Sequence, residues 1–332
     1  MINEKRLLDT FIGYAMIDSE TKNEKAMGEK LVEDLKALGL EVKTDKAGEG
    51  FGSNGFNVCA YLPGTIPGEP TIMCAHMDTV TPGNGIKPLI DDGIIHTDGS
   101  TILSGDDKSG IAAIMEAVKV IKEQNLPCRN TEILFTIGEE GGMNGVKNMD
   151  LSMIKGKEAM VFDASGDVGK ILTCGPGQIK IFATIIGRSS HAGLAPEEGI
   201  SAIQVAAKGI AKMNLLRIDE ETTCNIGTLK AEYATNIVPE KAEFVAEVRS
   251  RNLDKLNAQA AHMQKCLQDA CDEMGAKLEI ELKTNYVSFH VDNEDALVKR
   301  VFDSCNRLGF KAETEKGGGG SDANVMALHG IK

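Results

Sequence analysis

Thr71-Ile72-Met73-Cys74-Ala75-His76-Met77-Asp78-Thr79-Val80 opens as an apolar, strand-like run and ends with a histidine and an aspartate two residues apart. The arrangement recurs twice. A second apolar run, 131–137, leads into Gly138-Glu139-Glu140-Gly141-Gly142, and a third, Ala159-Met160-Val161-Phe162, leads into Asp163. Between the first two lies Ser104-Gly105-Asp106-Asp107-Lys108-Ser109-Gly110, acidic residues just ahead of an apolar helical pattern at about 110–123. Strands that alternate with long helices argue for a mostly parallel α/β sheet covered on both faces. Ligands of such sheets collect at the carboxyl ends of the strands, where His76, Asp78, Glu139, Glu140 and Asp163 all fall.

Helical patterns at about 4–17 and 24–38, the second stopped near Gly39, and strands at 41–44 and 57–62 complete the first part. Residues 48–55 read as a glycine-rich loop, and Pro63-Gly64 and Pro67-Gly68 as turns. The pattern changes around Gly175-Pro176-Gly177. From there the expected order is strand 178–186, helix 202–213, strands 223–229 and 242–249, helix 255–274 and strand 277–283. This β-α-β-β-α-β order is that of a ferredoxin-like sandwich, with helices on one face of an antiparallel sheet. It reads as a domain inserted into the first, with 1–176 and 287–332 forming one discontinuous domain and 177–286 the insert. A helix at 295–308, a strand at 311–315 and a last helical pattern after Gly317–Gly320 return to the first domain.

The 332 residues carry 36 basic and 49 acidic side chains, a net charge of −13 that argues against a nucleic-acid partner. No apolar stretch approaches membrane-spanning length, and the opening Met1-Ile2-Asn3-Glu4-Lys5-Arg6 lacks the order of a signal peptide. The 8 cysteines show no C-x-x-C spacing, so reduced thiols and a cytoplasmic location are expected.

One imidazole with several carboxylates describes a site for a hard-to-borderline divalent metal. Each piece has a plainer reading. His76 and Asp78 could be solvated loop residues, Asp106 and Asp107 helix caps, and Glu139-Glu140 an exposed turn. A phosphate loop at Lys108-Ser109 fails, because no glycine precedes the lysine and two aspartates would repel phosphate. The four pieces in this order favour the metal.

These runs resemble the zinc-dependent aminoacylase/carboxypeptidase superfamily of co-catalytic metallopeptidases, most closely its peptidase T-like (tripeptidase) branch, over the whole chain. The resemblance implies a zinc-exopeptidase type α/β domain with an inserted lid, and two divalent ions, zinc first, with manganese or cobalt as alternatives. It implies His76, Asp106, Glu140 and Asp163 as metal ligands, Asp106 bridging, and Asp78 as the residue that orients His76. Glu139 becomes the general base acting on a water between the metals. In Ser190-His191-Ala192-Gly193, His191 assists the tetrahedral intermediate, often from across a dimer. Asn236 of Thr235-Asn236-Ile237-Val238-Pro239, Arg249 of Glu247-Val248-Arg249, and Gly319, Gly320 and Ser321 match substrate-holding positions.

The family's last ligand, a histidine beyond the G-G-S-D-A helix, has no counterpart. His329 comes too early, so the Asp106–Glu140 position is expected to be incomplete, either in a truncated chain or with another donor filling the gap. The expected activity is hydrolysis of a peptide bond in short peptides by a homodimer joined through the lid. The alternatives are an N-acyl-amino-acid amidohydrolase and an inactive binding or dimer form.

Overall fold

The structure, a computed structural model, describes residues 2–332; Met1 lies outside the described residues. Two compact units divide the chain. The first runs to Ile171 and takes in Asn293–Glu313 and Ser321–Lys332; the second is Leu172–Asp292 with Thr314–Gly320.

In the first unit, α1 (Glu4–Ala15) starts where the Asn3 side chain accepts the Arg6 N–H, and it buries Phe11, Tyr14 and Ala15. Helix α2 (Lys25–Ala37) buries Met27, Leu31 and Leu35, the three-to-four-residue spacing of a one-faced helix. Then follow β1 (Glu41–Thr44), β2 (Val58–Leu62), β3 (Thr71–His76), a hairpin of β4 (Leu89–Asp91) and β5 (Ile94–His96), α3 (Gly105–Glu123), β6 (Thr131–Thr136), the short α4 (Asn144–Lys147) and β7 (Glu158–Val161).

The main sheet is five-stranded, in the order β1-β2-β6-β3-β7. Strand β3 lies parallel to β6 and β7, while β2 pairs antiparallel with β6 and β1. All six residues of β6 are buried, and Ile133 and Phe135 join Met27, Leu31, Val58, Ile111 and Met115 in the core. Burial of each such side chain is worth about 1.5–3 kcal/mol, which holds the central strands, and so the loops at their ends, in place. Helix α3 takes up regular helical geometry close to the expected 110, after a kinked first turn. Its first turn leaves helical geometry at Asp106 and Asp107, and the peptide between them is cis.

The second unit contains β8 (Lys170–Gly175), β9 (Gly177–Ile186), α5 (Ala202–Ala211), β10 (Leu216–Arg217), β11 (Thr222–Lys230), β12 (Lys241–Ser250), α6 (Leu253–Met274), β13 (Lys277–Tyr286) and β14 (Phe289–His290). Its antiparallel sheet has the order β10-β11-β12-β9-β13. Alternate residues point inward: Ile179, Ile181, Ala183 and Ile185 from β9, and Ala242, Phe244, Ala246 and Val248 from β12. They meet Leu256, Ala260, Met263 and Leu267 of α6 and Ala202, Val205 and Ala206 of α5.

Helix α7 (Ala296–Arg307), β15 (Glu313–Lys316) and α8 (Asp322–Leu328) close the chain, and β14-β8-β15 form a three-stranded sheet. The compact units divide at 171/172, 292/293, 313/314 and 320/321, where the sequence pattern placed the change at 176/177 and 286/287 and kept 314–320 with the first domain. The reason is that β8 and β14 pair with each other, Phe289 opposite Gly175 and His290 opposite Cys174, which draws both into the second unit.

Candidate metal centre

The carboxyl ends of β3, β6 and β7 in the first unit carry the residues in question. His76, 2% exposed, ends β3. Its Nδ1 lies 2.9 Å from the Asp78 backbone carbonyl, which makes Nδ1 the proton-bearing nitrogen toward that oxygen. Nε2 then faces Asp106 Oδ1 at 2.8 Å and Asp163 Oδ1 at 3.9 Å. Asp106 is exposed, Glu139 and Asp163 are half-buried, and Glu140 is exposed. The donor atoms of His76, Asp106 and Glu140 lie within 4.8 Å of one another, as do those of His76, Glu139 and Asp163. Strand end, kinked helix start and acidic turn therefore converge on one imidazole.

Gly138, at φ +61, turns the chain sharply after β6 so that Glu139 and Glu140 follow at once. The fully buried Asp78 carboxylate fastens this turn: Oδ1 accepts the Glu139 N–H at 2.9 Å and Oδ2 the Glu140 N–H at 3.2 Å. Its Oδ1 lies 3.4 Å from His76 Nδ1, so the aspartate expected to orient the histidine also grips the acidic pair.

Without a cation the carboxylates crowd one another. Burial, then the Asp322 charge, pushes Glu139 up to about 9, and burial pushes Asp163 to about 7 and Asp107 to about 8. Glu140 is raised by burial, whereas the His76 hydrogen bond holds Asp106 below the usual range. For His76, burial opposes the charged ring, but hydrogen bonds to Asp106 and Asp78 outweigh it and raise it well above its ordinary value. One imidazole among several carboxylates short of positive charge is a donor set suited to divalent cations.

In the second unit, residues 190–192 run beside 236–238: the Ala192 N–H donates to the Asn236 carbonyl and the Val238 N–H to that of Ser190. His191 and Asn236 are both exposed there, and His191 Nδ1 accepts the Gly193 N–H at 3.1 Å. Arg249 Nε donates to Glu247 Oε1 at 2.8 Å, and Gln178 Nε2 donates to Glu247 Oε2 at 2.6 Å. Gly319 is exposed. A Cβ on Gly320 would lie 2.4 Å from the Tyr286 ring, so any larger residue there requires that ring to move. Ser321, in the first unit, caps α8 and its N–H donates to Asn324 Oδ1.

Three residues near the centre have no expected role. Thr21 Oγ1 donates to Asp78 Oδ2 at 2.8 Å. Asp107 Oδ2 accepts the His76 N–H at 3.3 Å. Asp322 is buried, accepts from Thr136 Oγ1 at 2.5 Å, and its Oδ1 has no hydrogen-bond partner. Asp107 and Asp322 stand inside the motifs already noted, but Thr21 has no local signal.

The peptidase dimerisation domain family (M20_dimer) matches residues 176–275, and peptidase family M28 matches residues 57–174. The uncharacterized protein YqjE of Bacillus subtilis (strain 168) is 43% identical over 331 residues, covering 100% of this chain and 89% of that protein. Peptidase T of Pasteurella multocida (strain Pm70) is 25% identical over 383 residues, covering 100% and 90%. Among solved structures, a tripeptidase from Staphylococcus aureus subsp. aureus mu50 superposes with a TM-score of 0.97 at 40% identity, covering 100% of this chain and 89% of that one. Aminopeptidase PepT from Bacillus cereus ATCC 10987 gives a TM-score of 0.93 at 42% identity, covering 99% and 89%. With the fold, the acidic centre at its strand ends and these likenesses together, the chain belongs to the co-catalytic metallopeptidases, in their peptidase T-like branch.

Proposed function

We infer that the protein is a metal-dependent exopeptidase that removes a residue from short peptides, tripeptides foremost. The observation that carries this is the convergence of His76, Asp106, Glu140 and Asp163 with Glu139 at the strand ends. Membership of the peptidase T-like branch supports the same substrate class.

His76, Asp106, Glu140 and Asp163 would hold the divalent ions, two in number with zinc foremost. When bound, such ions supply Lewis acidity, lowering the pKa of water and polarising the scissile carbonyl. Glu139 takes a proton from the attacking water and delivers it to the leaving amine. Asp78 holds the Glu139 backbone and the His76 ring.

By the pattern of the family, His191 would steady the oxyanion, and Asn236, Arg249, Gly319, Gly320 and Ser321 would hold the peptide. Glu247 keeps the Arg249 guanidinium fixed for that task. The match to the dimerisation family supports a homodimer formed through the second unit. No described helix is long and apolar enough to cross a membrane, and a cytoplasmic location fits a peptidase of short peptides.

The test is a side-by-side assay of the zinc-loaded protein on tripeptides and on N-acetyl and N-succinyl amino acids, repeated after chelation. Chelator-sensitive tripeptide cleavage is the expected result. Faster release from N-acyl amino acids would replace this reading with that of a deacylase. Elemental analysis giving two ions per chain would show that another donor completes the Asp106–Glu140 position, and a single ion sufficient for full turnover would overturn the dinuclear arrangement.

A further inference from the structure

The segment between α1 and α2 is stitched along the end of β3. Ser19 Oγ donates to the Met77 carbonyl at 2.8 Å, the Thr79 N–H to the Ser19 carbonyl at 3.1 Å, and the Thr21 N–H to the Thr79 carbonyl at 3.2 Å. From the other side, Lys108 Nζ, on the fully buried side chain that follows the acidic pair, donates to the Ile17 carbonyl at 2.7 Å. These bonds fix where the half-buried Thr21 side chain stands.

Its hydroxyl lies 2.8 Å from Asp78 Oδ2, the oxygen that also accepts the Glu140 N–H, while Oδ1 accepts that of Glu139. Its methyl, Cγ2, lies 3.0 Å from where a Cβ on Gly141 would stand, so the same side chain abuts the far end of the acidic turn. Apart from Thr21, the Asp78 carboxylate meets the Glu139 and Glu140 N–H groups and, at 3.4 Å from Oδ1, His76 Nδ1, while its terminal torsion is broad and roughly two-fold. A side-chain donor at a fixed place on Oδ2 narrows that freedom further.

We propose that Thr21 is a positioning residue for the hydrolytic reaction: its hydroxyl locks the Asp78 carboxylate, and through it the Glu139-Glu140 turn, in the arrangement that aims Glu139 at the attacking water. The inference rests on the reading of Glu139 as general base. It assigns a role to a segment that holds no metal ligand and lies far from the acidic motifs in the chain. Misplacement of a reacting group by about 1 Å costs on the order of a hundredfold in rate, so loss of this lock acts on turnover rather than on binding.

The experiment uses the zinc-loaded full chain on a tripeptide, with Thr21→Val, Thr21→Ala, Thr21→Ser and Glu139→Gln side by side. For each variant, kcat, KM, bound metal and the denaturation midpoint are measured. Thr21→Val and Thr21→Ala should lower kcat about ten- to hundredfold, with KM and metal content unchanged. Thr21→Ser, which keeps the hydroxyl, should return kcat to within about twofold of the parent, the rescue expected of a positioning hydroxyl. A purely structural hydroxyl would instead move the midpoint and leave kcat in place. The proposal is overturned by normal kcat in both Val and Ala variants, or by a serine variant as slow as they are. An inactive Glu139→Gln beside a fully active Thr21→Val rejects the proposal alone. An active Glu139→Gln rejects the base assignment and the proposal with it.

Discussion

The two compact units handle charge in opposite ways. In the first, His76, Asp78, Asp107, Lys108 and Asp322 are buried, and Asp163 and Glu139 are half-buried beside them. In the second, the buried side chains of β9, β12 and α6 carry no charge, while ion pairs such as Lys265–Asp269 and Lys208–Glu273 lie on the outside. The second unit follows the ordinary rule that charge stays in water. The first breaks it in several places, Glu24, Glu116 and Glu132 among them, and most densely around the candidate metal centre, where the raised proton affinities of Glu139, Asp163 and Asp107 register the cost of burial. Such departures from the stable arrangement gather where chemistry needs them. Substitutions in the first unit's centre should therefore act mainly on rate, and those in the second unit's core mainly on stability.

The largest expected effect falls at the centre. Glu139→Gln should reduce tripeptide turnover by about a hundred- to ten-thousandfold, the range for loss of a general base. Because it relieves carboxylate crowding, it should leave the urea midpoint of the metal-free protein no lower than that of the parent. A clear drop in that midpoint would break the contrast between the units.

Next comes Phe244→Ala in the second unit, where the ring is 1% exposed. It should cost about 3–5 kcal/mol in urea denaturation, since the cavity adds to the lost transfer energy. A loss below about 1 kcal/mol would show that this core is loosely packed.

Tyr14→Phe probes a buried polar group of the first unit away from the centre. The hydroxyl donates to Asp34 Oδ2 at 2.8 Å, and burial, then the Asp34 charge, raises the phenol far above its ordinary value. The variant should be about 1.5 kcal/mol less stable near neutral pH. The folded chain keeps the phenolic proton longer than the unfolded chain, whose phenol ionises near pH 10. The stabilisation is therefore complete below about pH 10 and is lost as pH rises beyond it. Denaturation midpoints of the two proteins should converge above pH 10, and a gap that widens there would refute the cause given for the shift.

The smallest effect belongs to Asp269→Ala. This carboxylate meets Lys265 at 2.8 Å, one turn away on the exposed face of α6. Surface pairs of this kind contribute little, so no measurable change in the midpoint is expected.

Much of the fold was legible because its signals are local. The lid order emerged from alternation in 178–186 and 242–249, which exists because one face of that sheet is covered by α5 and α6. The candidate metal centre was legible because strand ends bring short, charged runs into the open. The regular turns of α3 begin only after Asp106 and Asp107, which leave helical geometry, so the periodicity placed its start correctly at about 110 and could not show the kinked turn ahead of it. The limits of the second unit shifted because the pairing of β8 with β14 joins segments more than a hundred residues apart, as Gly175 opposite Phe289 shows.

The sequence by itself determined which chemistry is present: one histidine, an acidic helix start and a doubled glutamate, each fixed by neighbours a few residues away. Only the tertiary structure decided how those groups are held. Thr21 reaches Asp78 across 57 positions and Thr136 reaches Asp322 across 186, and Asp78 turns out to grip the backbone of the acidic turn as well as facing the histidine. The physical reason is that hydrogen bonds are made between groups that chain folding brings together, and separation along the chain leaves no periodic trace from which to read them.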